Sequence, residues 1–77
     1  MFGTISKEYE ILCYEDENRV QGPVLRDTST NRNEALRQAK KRSEEYPLIE
    51  ANVLLYENGD PVGDEVLCVY RNGVRTA

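Results

Sequence analysis

Hydrophobic and polar positions alternate along four stretches of the chain, and a helical pattern separates the first two stretches from the last two. The stretches are residues 9–14, 19–26, 48–57 and 65–71. Residues 9–14 are rich in aromatic and β-branched residues, which favour strands, and residues 48–57 give the clearest strand pattern in the chain. Pro23 cannot donate a hydrogen bond to a neighbouring strand, so we predict that the second strand lies at an edge of the sheet.

The apolar positions between residues 32 and 46 follow the period of an amphipathic helix. At about 100° per residue, one face collects Ala35, Leu36, Ala39, Ser43 and Tyr46. Asn31 is the expected N-cap, and Glu34 is expected to reach back to the amide of that cap. Pro47 disfavours helical geometry at the residue before it, so the helix should end near Tyr46.

Two Asn-Gly pairs predict turns in the second half of the chain. Asn58-Gly59 favours a tight hairpin, because both residues tolerate the positive φ that such a turn requires. Asn72-Gly73 either turns the last residues back on the fourth strand or begins a frayed tail. We expect a single domain over residues 1–77, with residues 1–6 and 75–77 frayed.

These elements predict an α+β fold of order ββαββ, in which a single helix packs on one face of a four-stranded, mostly antiparallel sheet. One helix cannot cover both faces, yet the first and third strands carry apolar side chains on both. On the opposite face, Tyr14, Leu54 and Tyr56 are therefore expected to meet a long loop, a second copy of the chain or a protein partner.

The sequence also indicates the cellular compartment and the oxidation state of the two cysteines. Apolar runs such as residues 53–56 are far too short to cross a bilayer, and residues 1–6 lack the pattern of a signal peptide, so we expect a cytoplasmic protein. Cys13 and Cys68 lie within strand patterns and are interpreted as buried thiols. A disulfide between them would require the first and last long strands to be neighbours.

Charge is distributed unevenly along the chain. Segment 32–42 holds five cations and one anion, a net +4; because the whole chain is −4, the other residues carry −8. The candidate partner-binding cations are Arg37, Lys40 and Lys41, and the candidate anions at the first hairpin tip are Glu15, Asp16 and Glu17. Both groups also fit plain solvated surface. Nucleic-acid binding by helix 32–42 is the alternative, although a sequence pI near 4.8 opposes it.

The residue inventory argues against catalysis. The chain has no histidine, which excludes Ser-His-Asp and Cys-His nucleophile systems and every histidine metal site. None of the five glycines belongs to a phosphate-binding loop, and residues 60–65 depart from the calcium-loop pattern. We therefore predict no enzyme activity, no cofactor and no metal.

The layout of this small acidic chain resembles that of bacteriophage and mobile-element accessory proteins, anti-CRISPR proteins among them. The resemblance runs through Tyr-Glu-Ile-Leu-Cys-Tyr at 9–14, Asn-Arg-Asn-Glu-Ala-Leu at 31–36 and Glu-Val-Leu-Cys-Val-Tyr at 65–70. It implies an inhibitor that occludes a surface on a bacterial defence complex by stoichiometric contact, in the host cytoplasm. The sequence hypothesis is thus a non-enzymatic protein-binding module, with a nucleic-acid-binding protein or a structural homodimer subunit as alternatives.

Overall fold

The computed structural model describes residues 4–77. Its elements are β1 (Ile5–Tyr14), β2 (Leu25–Ser29), α1 (Arg32–Arg42), β3 (Leu48–Glu57), β4 (Asp60–Arg71) and β5 (Val74–Arg75). The strands form one sheet in the order β2-β1-β3-β4-β5, and every neighbouring pair is antiparallel. The α+β class and the single helix are confirmed. The sheet has five strands instead of four, because Asn72-Gly73 does turn the chain back to form β5.

The second strand begins and ends later than the sequence pattern predicted. Residues 15–24 form a long loop, whereas Asp27, Thr28 and Ser29, expected to belong to a loop, pair with β1. The inward positions of β2 are partly polar: Asp27 accepts a hydrogen bond from Arg42, and the Ser29 hydroxyl accepts one from the Asn31 amide. Hydrogen-bond partners of this kind allow polar side chains to face the helix. A pattern of alternating apolar residues therefore does not reveal this strand.

The β3–β4 hairpin is longer and less regular than predicted. Asn58 and Gly59 adopt φ values of 52° and 86° and make the tight turn, so β4 begins directly at Asp60. The pairing of β4 with β3 shifts register twice, leaving Val62 and Leu67 as extra residues. Because a bulge adds one residue, the bulge at Leu67 reverses which face of the sheet the neighbouring residues of β4 occupy.

Val66 is the residue most affected by that shift. The sequence pattern grouped Val66 with Cys68 on the buried face, but it pairs with Asn52 on the opposite face and is 60% exposed. Leu67 takes over its role and packs against the buried cluster. The predicted alternation was therefore wrong for this half of the strand.

The helix is shorter than predicted. It ends at Arg42, with Ser43 as its C-cap, instead of reaching Tyr46. The side chain of Asn31 accepts a hydrogen bond from the Glu34 amide at 3.0 Å, so the predicted N-cap is confirmed. The amide of Asn31 donates to the Ser29 hydroxyl instead of to the Glu34 carboxylate, so the expectation that Glu34 reaches back to the cap was wrong.

The core lies between the helix and the sheet. Its buried members are Tyr9, Ile11, Cys13, Ala35, Ala39, Ile49, Ala51 and Cys68. The small alanines let the helix approach the sheet closely, and Leu36 and Tyr46 pack at the border of the cluster. This agrees with the apolar helix face read from the sequence.

The two cysteines are free and fully buried. Cys13 is on β1 and Cys68 is on β4, and β3 runs between these strands. Two strand spacings amount to roughly 9–10 Å, beyond the separation of about 7 Å that a disulfide can bridge. The interpretation as buried thiols fits this arrangement, and the strand order removes the alternative of a bridge within one chain.

The chain ends are more ordered than expected. Residues 1–3 lie outside the described residues, but Ile5 and Ser6 belong to β1 and Arg75 belongs to β5. The amide of Val69 also donates to the carbonyl of Ala77, which extends the pairing beyond β5.

Three strands extend past the end of the helix and of β2. We call residues 4–8 together with residues 54–65 the arm, and residues 9–53 with 66–77 the body. The arm makes the molecule elongated, with extents of 46 × 25 × 19 Å. No arm residue is buried, since each is either exposed or half-buried.

Candidate interaction surface

A loop covers one end of the sheet face opposite the helix, which we call the open face. Arg19, in the loop between β1 and β2, lies 5.7 Å from the ring centroid of Tyr14 and forms an ion pair with Glu50. Beneath the loop Tyr14 is only 8% exposed and Leu48 is inaccessible. Burial, and then the nearby Glu50 carboxylate, raise the pKa of Tyr14. Of the alternatives expected for the open face, contact with a long loop is therefore the one that applies to Tyr14.

The predicted acidic hairpin tip is part of the same loop and does not project from the sheet. The backbone carbonyl of Glu17 accepts a hydrogen bond from Arg71, and its carboxylate accepts one from Asn72 at 3.0 Å. The Asp16 carboxylate accepts from the Asn18 amide at 2.8 Å. The contacts of Glu17 tie the loop to the far end of β4, and both Glu15 and Glu17 remain exposed.

Beside the loop, the open face carries a continuous polar network. Arg26 donates to Glu10 at 2.9 Å, and the side-chain amide of Asn52 donates to both Glu10 and Glu50 at 3.3 Å. The ion pair of Glu50 with Arg19 completes the network. Two cations and two anions balance each other across three strands and the loop, so this part of the open face has no net charge to attract a partner.

The predicted helix cations are solvent-exposed. Arg37, Lys40 and Lys41 are all exposed, and none of them forms an ion pair within residues 4–77. Arg42, the last residue of the helix, binds Asp27 and Glu45, each at 3.0 Å, and the hydrogen bonds with Glu45 and then with Asp27 raise the pKa of its guanidinium.

The arm carries a charge equal to that of the whole chain. It contains five acids, Glu8, Glu57, Asp60, Asp64 and Glu65, and one cation, Lys7, for a net −4. The body contains nine cations and nine anions, so its net charge is zero. Every ion pair within the described residues lies in the body.

The arm also exposes apolar side chains among its acids. Leu54 is half-buried and pairs in register with Glu8 on one side and Asp64 on the other. Leu54 and Tyr56, with Pro61, line a shallow groove of about 280 Å³ on the arm. Of the three predicted open-face contacts, these two share one surface, whereas Tyr14 lies under the loop at the opposite end of the sheet.

The buried thiols are chemically quiet. Burial, and then the adjacent Asp27 carboxylate, raise the pKa of Cys13 to about 11. Burial likewise raises the pKa of Cys68. A protonated, inaccessible thiol is a poor nucleophile. Within residues 4–77 no group of three or more metal-ligating side chains converges.

The sequence reasoning did not predict that the outer edge of β4 in the arm has unpaired backbone groups. On its outer side, β4 is paired only from Val69 onward, so no described strand or tail residue bonds to the outer edge of residues 60–68. Pro61 and the density of acids in this segment were a usable signal, because proline and charge are what exposed edges commonly carry. Because the predicted fourth strand begins at residue 65, the sequence reasoning did not include residues 60–64 in the sheet.

Comparison of the chain with protein-family models, with curated proteins and with solved structures finds no match. The helix of the described part is neither long nor apolar enough to span a membrane.

Proposed function

We propose that the protein is a non-enzymatic binding module that presents its acidic arm to a basic surface of a protein partner. The observation that carries this proposal is that the entire net charge lies on the arm, which projects from the molecule and has no buried residue, while the body is neutral. Charge of one sign at one end of a molecule accelerates association with an oppositely charged surface and fixes its orientation.

The apolar groove supports a protein as the partner. Leu54, Tyr56 and Pro61 offer contact area between the carboxylates, and side chains of this kind are common at the centre of protein interfaces. Acidic side chains repel the phosphates of nucleic acid, so the arm does not suit direct nucleic-acid binding.

In its narrower form, the proposal is that the partner's basic surface is one that itself binds nucleic acid. An acidic arm on such a surface would compete with phosphates for the same cations. A phage-type inhibitor of a bacterial defence complex, as the anti-CRISPR resemblance implies, would work in this way from the cytoplasm of the host.

The test is a charge-matched pair of variants. The arm variant carries Glu57→Gln, Asp60→Asn, Asp64→Asn and Glu65→Gln. The body variant carries Glu15→Gln, Asp16→Asn, Glu17→Gln and Glu44→Gln. Both variants have a net charge of zero, so they differ only in where the four acids were removed.

Partners are captured by cross-linking in lysate of the source cell and are then purified for titration at two salt concentrations. We expect the arm variant to lose affinity by about tenfold or more, the body variant to bind like wild type, and added salt to weaken the wild-type complex. Equal binding by wild type and the arm variant would refute the proposal.

The helix provides the competing outcome. If the protein binds nucleic acid directly, duplex or single-stranded oligonucleotides will bind with a steep salt dependence, and Arg37→Glu, Lys40→Glu and Lys41→Glu together will abolish that binding. The arm proposal instead expects this triple variant to capture the partner unchanged.

A further inference from the structure

We propose that the outer edge of β4 at Gly63–Val66 is a strand-addition site for an extended, basic segment of a protein partner, an inference that rests on the proposed function and specifies its contact. The backbone groups on this edge have no partner among residues 4–77. A strand edge with open amides and carbonyls is a template for another strand.

The geometry of the edge confines the site to a short stretch. The register of β4 against β3 shifts around Val62 and again around Leu67, and between these points the pairing is continuous. Gly63, Asp64, Glu65 and Val66 pair with four consecutive residues of β3. A regular stretch of this length can accept an incoming strand, whereas the bulges on either side twist the edge away from one.

The side chains on the stretch specify the chemistry of the incoming strand. Asp64 and Val66 point to the open face, and Glu65 points to the helix side, because their β3 partners Leu54, Asn52 and Val53 divide in that way. An added strand therefore meets a carboxylate on each face and an exposed valine on one of them. Lysine or arginine alternating with aliphatic residues complements this arrangement.

The same charges argue against a second copy of this chain as the occupant. Two β4 edges paired antiparallel would bring Asp64 and Glu65 of both copies together, and like charges on adjacent strands repel. The free edge of β1 at residues 5–8 carries Lys7 and Glu8, which balance each other and specify no partner charge. The charge on β4 thus selects a basic partner strand.

The probe is a seven-residue peptide of alternating lysine and valine with blocked ends, titrated by fluorescence polarisation. Two further peptides carry N-methyl groups on either the lysine amides or the valine amides. They have the same charge and side chains, but each lacks one alternate set of backbone donors. Strand addition uses one set only, so we expect one methylated peptide to lose affinity by about tenfold or more and the other to lose much less.

Amide hydrogen exchange locates the bound peptide. We expect protection of alternate amides within residues 63–66 when the unmethylated peptide is added. Asp64→Asn with Glu65→Gln should weaken binding, while Glu15→Gln with Glu44→Gln, which removes two exposed body acids, should not.

Two results would overturn strand addition: no binding of the unmethylated peptide at millimolar concentration, or equal binding of both methylated peptides. If both bind equally and the arm variant abolishes that binding, the arm attracts basic chains by charge alone and the proposed function survives. If the arm variant binds a basic partner as wild type does, the proposed function fails as well.

Discussion

The body and the arm of this molecule share three strands but are held together in different ways. In the body, a helix covers a cluster that includes the fully buried Ile11 and Ile49, and ion pairs join β2 to β1 and to the helix, and the long loop to β3. In the arm, no residue is buried, and the ion pairs of the described chain are all elsewhere. Apolar burial stabilises the body, whereas ladder hydrogen bonds and one tight turn maintain the arm.

Under the proposed function, this difference separates stability from recognition within one sheet. Residues that contribute most to folding lie under the helix, while the arm can vary its charge and exposed side chains at little cost in stability. The proposed interaction surface lies where the core contributes least.

The largest expected effect is a truncation in the body. Ile11→Ala removes a side chain with no exposed surface, so we expect the free energy of unfolding to fall by about 3 kcal/mol. Leu55→Ala, in the half-buried centre of the arm, should cost about 1 kcal/mol or less. Urea denaturation followed by circular dichroism measures both. A similar loss in the two variants would contradict the division between body and arm.

The buried thiol of Cys13 should make the body sensitive to alkaline pH. The unfolded thiol ionises near its ordinary pKa of 9.0, whereas the folded thiol keeps its proton to about pH 11. Because the folded pKa is raised, this contribution to stability is complete below pH 9 and is lost as pH rises to 11, by up to about 2 kcal/mol.

The control for this pH dependence is Cys13→Ala, which has no thiol to titrate. Unfolding free energies of both proteins between pH 8 and 11 should show a steeper decline for wild type, beyond the decline that Cys68 and Tyr14, whose pKa values are also raised, impose on both. Parallel curves would mean that the thiol does not contribute.

Two glycines of the arm should respond in opposite directions. Gly59 has φ +86°, which an alanine adopts only with strain, so Gly59→Ala should destabilise by about 1 kcal/mol. Gly63 has no positive φ, and an added methyl would meet Leu55 at an ordinary 3.9 Å, so Gly63→Ala should stabilise by about 0.5 kcal/mol.

Amide exchange resolves where these glycine effects act. We expect faster exchange across residues 54–65 in Gly59→Ala, slower exchange there in Gly63→Ala, and little change in residues 9–13 of the body. Equal changes in both regions would show that the arm and body unfold as one unit.

The sequence was informative wherever a local signal decided the structure. Asn31 caps the helix, Asn58 and Gly59 adopt the positive φ that their residue types tolerate, and β3 has the bounds that its alternation predicted. The position of β2 was predicted wrongly because its inward side chains Asp27 and Ser29 are polar. They accept hydrogen bonds from Arg42 on the helix and from the amide of Asn31. Hydropathy alone does not report such partners.

The candidate site was harder to predict because it depends on register and strand order. A bulge at Leu67 changes the face on which Val66 lies, and nothing in the alternation of β4 announces it. Likewise, the position of the arm's acids on a projecting end of the sheet becomes visible only once residues 5–8 are known to pair with residues 54–57. Leu54 and Tyr56 were expected on the open face and lie there.

Because the neutral body and the −4 arm lie at opposite ends of a molecule 46 Å long, the protein has a large electric dipole along its main axis. Near a positive surface, this dipole exerts a torque that turns the molecule until the Asn58-Gly59 tip leads. The torque acts over about one Debye length, roughly 8 Å at physiological ionic strength, so reorientation happens in the last steps of approach and weakens as salt is added. The hairpin tip would therefore be the first part of the protein to touch such a surface.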